Sequence, residues 1–349
     1  MPKVAEKDVI RTIRKVKDPD TTKDLISLGR IKDLTVRNGE IAFKVLVDPG
    51  RPLSENVLKS MRSQLEDLEG VDHVAIGLEE KAGVAGGPTK RPAPQEPIPG
   101  VRSIIAVASG KGGVGKSTVA VNLALALASE GARVGLLDAD IYGPSIPTML
   151  GAQGAQPTAV EKRIQPIPRY GIQLMSLGFL VPDVESPMVW RGPMVHSALT
   201  QFLRQVDWGE LDYLVVDMPP GTGDAHLTLT QSVPLTGAVI VTTPQEIALI
   251  DAKKGLRMFD KVGARIIGII ENMGTFVCPD CGAEHAIFGA GGGRATAERF
   301  RVPFLGSIPL DSEITPSGDS GQPIVHAQPD SRVAERFREI ARRIVSVID

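Results

Sequence analysis

The sequence predicts an α/β protein: a doubly wound, mostly parallel sheet preceded by a small α+β domain. Three observations predict it. Six short runs, "SIIAVA", "RVGLLD", "YLVVD", "GAVIVTT", "RIIGII" and "PFLGSIP", alternate with helical stretches in the rear of the chain. Such uninterrupted apolar runs read as strands buried on both faces, the habit of parallel sheets. A glycine-rich loop, "SGKGGVGKST" at 109–118, joins the first run to a helix. Finally, residues 82–100, "AGVAGGPTKRPAPQEPIPG", hold nine Pro or Gly and no aromatic. Such a segment cannot form a core and reads as a mostly extended spacer. The expected division is 1–81, 82–100 and 101–349.

In the front domain, "VAEKDVIRTIRKV" has helical apolar spacing, and "DLTVRNGEIAFKVLV" reads as two strands about a turn at Asn38-Gly39. "LSENVLKSMRSQLEDLEG" reads as a capped amphipathic helix ending at Gly70, followed by the strand "VDHVAIG". This domain has no cysteine and no catalytic constellation, which leaves a docking or scaffold role. In the rear domain, ligands of a doubly wound sheet sit at the carboxyl ends of the strands. Those ends carry the glycine loop, Asp138, Asp217, Asn272 and Pro309.

Apolar residues make up 42% and charged residues 23%, with a formal net charge of −2. There is no basic footprint for nucleic acid. The longest apolar run, "VAVNLALALA", is too short to span a bilayer. The opening "MPKVAEKDVI" is too charged for a secretory signal, and its acids argue against a transit peptide. Two cysteines make no disulfide framework, so a cytoplasmic protein is expected, with neither nucleic acid nor membrane as partner.

Gly110, Gly115, Lys116 and Ser117 satisfy G-x-x-x-x-G-K-[ST] between a strand and a helix. The backbone of Gly110, Lys111, Gly112, Gly113, Val114, Gly115, Lys116, Ser117 and Thr118 would form an anion nest at the helix start. Lys116 would lie against the β- and γ-phosphates, and Ser117 would ligate Mg²⁺. "GKGGVG" also matches the dinucleotide fingerprint G-x-G-x-x-G, with Asp138 in place of its ribose-binding acid. That alternative has no use for Lys116-Ser117 and does not explain Asp217, an acid at a strand end that can hold the Mg²⁺ water shell.

The loop "GKGGVGKST" is similar to the deviant phosphate loop of the MinD/ParA/nitrogenase-iron-protein ATPases. In that class the extra lysine, matched by Lys111, reaches across a face-to-face dimer to the partner's nucleotide. The resemblance implies that Asp140 orients the attacking water and that Asp217 is the acid of the D-x-P-P-G switch. It also implies that Asn272 bonds adenine and that the loop around Pro309 encloses the base. "DADIYGPSIP", "VWRGPM", "DMPPGTGD" and "ENMGTFVCPDCG" together resemble the Mrp-type iron–sulfur cluster carrier ATPases, small front domain included. The implied function is a slow, homodimeric ATPase that passes a labile cluster to apoproteins, with cluster-assembly proteins as further partners. Some eukaryotic relatives have an N-terminal cysteine cluster; this chain has none, so a function tied to one is excluded.

Cys278 and Cys281, in "CPDCGAEH", aim two thiolates at one metal. Taken alone, this pattern is half of a zinc ribbon or a rubredoxin-like knuckle, and both need four ligands. His285 could be a third zinc ligand, but the fourth is missing. Ligand counting therefore requires a dimer or an outside ligand. Two copies supply four thiolates, the number a [4Fe–4S] cluster takes, and the resemblance implies that bridging cluster. Intersubunit zinc and a bare thiol pair remain alternatives, as do a positioning ATPase that binds membrane or DNA and a purely structural zinc dimer. The C-terminal "RVAERFREIARRIVSVID" is amphipathic and basic, and packing on its own sheet is expected of it rather than lipid binding. His73, His196, His226 and His326 are assigned to surface or satisfied core positions.

Overall fold

The computed structural model describes residues 4–16, 24–27, 29–37, 39–47, 55–80, 95–140, 143–180, 192–221, 224–278 and 281–349. Asn38, most of the expected spacer, Ile141-Tyr142 and the "VWR" of "VWRGPM" lie outside them, as do Thr222-Gly223 and Pro279-Asp280. The chain divides into two compact units, Met1–Lys90 and Arg91–Asp349.

The first unit has the element order read from the sequence: helix Glu6–Ile13, strands Ile31–Arg37 and Glu40–Val47, helix Glu55–Glu66, strand His73–Glu80. The first two strands are antiparallel, and the third pairs in parallel with the second. Ile41, Phe43 and Val45 alternate inward along the middle strand, against Val9 and Ile13 of one helix and Met61 and Leu65 of the other. The second helix stops at Glu66 rather than running to Gly70. Its last amides turn to three-residue spacing, Leu68 N–H to Leu65 C=O and Val71 N–H to Leu68 C=O, and Gly70 takes a φ of +88° beyond it.

The second unit is built on an eight-stranded sheet. Its spatial order is Phe304–Ser307, Ile266–Glu271, Gly237–Thr242, Val101–Ala108, Leu211–Asp217, Val134–Asp138, Ile172–Ser176, Ile167–Arg169. All pairs are parallel except the last. Six of these strands are the runs read from the sequence; "IQLMS" and "IPR" at the far edge were not. The central strand shows why the runs are continuous: Ile105 and Val107 enter one core, while Ile104, Ala106 and Ala108 enter the other. Ile104, Ile105 and Val107 each contribute about 1.5–3 kcal/mol on full burial. The winding of the sheet switches sides at Val101–Ala108, with the strands after it laid down first on one side and then on the other. The crevice at its carboxyl end is therefore the expected ligand site.

Two findings refine the sequence reading. Residues 95–100, assigned to the spacer, belong to the second unit: Ile98 is buried in its core, and the Gln95 side chain donates to the Thr230 carbonyl. The terminal helix Arg332–Ile348 buries Val333, Phe337, Ile340 and Ile344 in the core beside helix Lys116–Ser129, so its apolar face is used within the fold.

Candidate functional site

The glycine loop leaves strand Val101–Ala108 and enters helix Lys116–Ser129, which is buried nearly all round and thus rigidly held. Gly115 has a φ of +78° and Gly113 of +81°, a region that costs a residue with a Cβ energy. Space matters as much. A Cβ on Gly110 would collide with the Asp251 backbone, and one on Gly115 with the Asn272 amide. The Ser109 hydroxyl donates to the Lys111 carbonyl at 3.0 Å and pins the turn, leaving Lys111 exposed.

Lys116 points the other way. Its ammonium is buried and donates to Asp217 Oδ1 at 2.7 Å and to Ser117 Oγ at 3.1 Å, with Asp140 Oδ2 at 3.9 Å. Asp217 lies opposite Asp138 in the register of adjacent strands, and both are fully buried. Burial, and then the charge of Asp217, pushes the Asp138 carboxyl up to about 8. Burial raises Asp217 as well, outweighing the Lys116 ammonium that opposes it. Asp217 Oδ2 is buried without a hydrogen-bond partner. Asp138 accepts the Asp140 N–H at 3.0 Å and the Ser176 hydroxyl at 2.9 Å, so it fixes the chain where Asp140 leaves the sheet.

On the other side of the loop, Asn272 donates Nδ2 to the Val114 carbonyl at 2.9 Å and braces the loop directly. Met273 then turns with a φ of +57°, and Gly274 N–H reaches the Ile308 carbonyl at 3.0 Å. Leu310, next to Pro309, donates to the Thr275 carbonyl. The chain continues into a hairpin, Phe276–Val277 against Glu284–His285, whose tip carries Cys278 and Cys281. Cys278 N–H donates to Ala283 C=O, and Gly282 N–H to Cys278 C=O, both at 2.9 Å. Both thiols are free of disulfide; Cys278 is half-buried and Cys281 exposed. His285 is exposed in the strand and faces Phe276 in the register. Among the described residues no three His, Cys, Asp or Glu side chains gather as a metal site.

The family model of the NUBPL iron-transfer P-loop NTPases matches residues 100–345, and that of the iron–sulfur cluster assembly proteins matches residues 6–76. The chain belongs to the NUBPL iron-transfer P-loop NTPase family. It is 46% identical over 347 residues to an iron–sulfur cluster carrier protein of Synechocystis sp., covering 97% of each chain. It is 53% identical over 253 residues to the mouse iron–sulfur cluster transfer protein NUBPL, covering 72% of this chain and 79% of that one. A solved nucleotide-binding protein of Archaeoglobus fulgidus, in complex with ADP, is similar at 40% identity and a TM-score of 0.57. That likeness covers 64% of this chain and 87% of the other.

In this P-loop NTPase the expected residues fall at one rim of the sheet. The glycine loop, Asp140 and Asp217 converge on Lys116, Asn272 touches the loop, and Pro309 sits beyond it, half-buried. The cysteine pair is carried on its own hairpin. Sequence reasoning missed the roles of Asp138 and Ser176. Their signal was there in part: Ser176 ends "IQLMS", and strand ends were already the places to look. His226 is fully buried in the core and His326 stacks on Tyr170 with ring centroids 4.0 Å apart.

Proposed function

We propose that this protein is an ATP-hydrolysing iron–sulfur cluster carrier. Two copies of the chain hold the cluster between their Cys278 and Cys281 thiolates and deliver it to apoproteins in the cytoplasm. One observation carries the reading: a phosphate loop and a two-thiol hairpin tip stand on the same domain, linked through Asn272, which bonds the loop and is followed by five residues and then Cys278. One chain offers two of the four thiolates that a [4Fe–4S] cluster takes, and a two-fold axis offers the rest. The carrier and transfer names of the Synechocystis and mouse relatives support it. No helix among the described residues is long and apolar enough to cross a membrane.

In this reading the loop amides and Lys116 bind the phosphates of ATP. Magnesium fits on the chemistry of the donors: the orphaned Asp217 Oδ2, the Ser117 hydroxyl and the Asp140 carboxylate are hard oxygens. When bound, it neutralises charge on the transferred phosphoryl group. Asp140, its backbone fixed by Asp138, orients the attacking water. Lys111 is exposed to meet a facing subunit's nucleotide. Asn272 spends its nitrogen on Val114 and keeps its oxygen for the base, which Pro309 helps enclose. The hairpin begins at Phe276, directly after the Asn272–Thr275 segment, so nucleotide that displaces that segment also pulls on the hairpin. Such coupling needs the nucleotide to favour one arrangement energetically.

Anaerobic reconstitution tests it, with iron, sulfide and zinc counted per dimer and a Mössbauer spectrum recorded. Cys278→Ala and Cys281→Ala should each abolish cluster binding and leave ATP affinity unchanged. A full cluster in either variant sinks the bridging arrangement, and stoichiometric zinc that resists iron loading decides for a zinc dimer.

A further inference from the structure

The strand Phe304–Ser307 pairs with Ile266–Glu271 on one side and with no other strand among the described residues. A cleft of about 340 Å³ runs along this edge, and all four residues of the strand line it. At one end it reaches the cysteine hairpin through Val277 and Glu284. Guanidinium groups flank the edge from both faces of the sheet. Arg294, on a helix that packs into one core, lies 4.5 Å over the Phe304 ring. Arg332, Arg336 and Arg343 come from the terminal helix, which packs into the other core, and Arg343 donates to the Leu305 carbonyl at 3.0 Å.

The charges do not balance. Of the glutamates lining the cleft, Glu271 is buried and spends both oxygens on the Gly291 and Gly293 amides. Glu284 pairs with Arg332 at 2.9 Å and Glu339 with Arg336 at 2.8 Å, both partly exposed pairs that exchange readily. Among the described residues Arg294 and Arg343 have no carboxylate partner, so two guanidinium groups stand in excess of the described surface acids.

We propose that this cleft docks an acidic, extended segment of an acceptor protein, added as a strand along Phe304–Ser307. Strand addition supplies main-chain hydrogen bonds that any sequence can make. Successive side chains of the added strand point to opposite faces, so consecutive carboxylates reach Arg294 on one side and Arg336 and Arg343 on the other. A cationic rim that wards off most edges selects an acidic one. The segment's end would then lie beside the hairpin that carries the thiols. The identity of the partner rests on the carrier reading; the chemistry of the cleft does not.

Fluorescence anisotropy of fluorescein-labelled oligoglutamate on the full chain tests this, together with hydrogen exchange of residues 304–307. Saturable binding is expected, with new protection at the edge strand. It should weaken about tenfold or more in the Arg294→Ala/Arg343→Ala double variant, as for lost hydrogen bonds to charged groups. Oligolysine should not bind. Gln at both positions keeps the packing and replaces the Ala pair if that variant melts early. Undiminished binding by the double variant overturns the proposal. So does displacement by inorganic phosphate without edge protection, which marks a simple anion pocket. Measuring with Cys278→Ala separates the two readings: binding there upholds docking even if no cluster is carried. Cluster-loaded protein that ignores the peptide sinks docking alone.

Discussion

Replacing Asp138 by Asn should stabilise the protein at neutral pH and above. The carboxyl is fully buried, and its pKa is pushed up to about 8 by burial and then by the charge of Asp217. At neutral pH the folded chain therefore keeps it protonated while the unfolded chain ionises it. Above the ordinary value the folded state holds more protons, so stability from this group is full at low pH, falls as pH rises, and is lost by about pH 8. The gap between 3.8 and about 8 corresponds to on the order of 5 kcal/mol, most of it already lost at neutral pH. The neighbouring Asp217, raised by burial as well, titrates together with Asp138 and absorbs part of this. A gain of roughly 2–4 kcal/mol is expected, which is roughly 5–15 °C in Tm for a domain of this size. Asn keeps the geometry, because its oxygen accepts the Asp140 N–H and its amide faces the Ser176 hydroxyl. Calorimetric scans of both proteins from mildly acid to alkaline pH measure the difference. It should be small at the acid end, grow with pH and level off above about 8. A variant that melts at or below the wild type in alkali, or a difference independent of pH, refutes the reasoning.

Lys111→Ala should leave nucleotide affinity within a few-fold but remove most phosphate release, since cations supplied in trans contribute on the order of 10³–10⁵ in rate. Mixed with inactive Asp140→Ala, it should regain up to about half of wild-type activity, because one site of the heterodimer has both groups intact; no recovery in proven heterodimers counts against a trans role. A chain beginning at Gln95 should melt like the intact second unit, bind ATP and take a cluster. One beginning at Val101 loses buried Ile98 and should melt earlier by roughly 2–4 kcal/mol of stability, read by thermal unfolding.

The sequence by itself determined the elements whose cause is local. Six strands are legible because a strand buried on both faces must be apolar at consecutive positions, as Ile104 and Ile105 are. The phosphate loop is legible because a helix start that approaches an anion needs glycine at fixed spacings, and the thiol pair because a turn needs its own spacing. Only the tertiary structure decided what depends on residues distant in the chain. The strands Ile172–Ser176 and Ile167–Arg169 are interrupted by Gln173 and by Pro168 and Arg169 and show no continuous apolar run; the first forms because Val134–Asp138 offers an edge, and the second because the first then does. Asn272 braces Val114 across 158 residues, and Ser176 holds Asp138 across 38. Neither partner's neighbours in sequence reveal the contact. Ile98 reads as spacer because prolines surround it, yet a hydrophobic slot elsewhere on the domain claims it. The arginines around Phe304 are ordinary helix-surface residues in sequence. They become one cationic cleft only because two helices on opposite faces reach the same edge of the sheet.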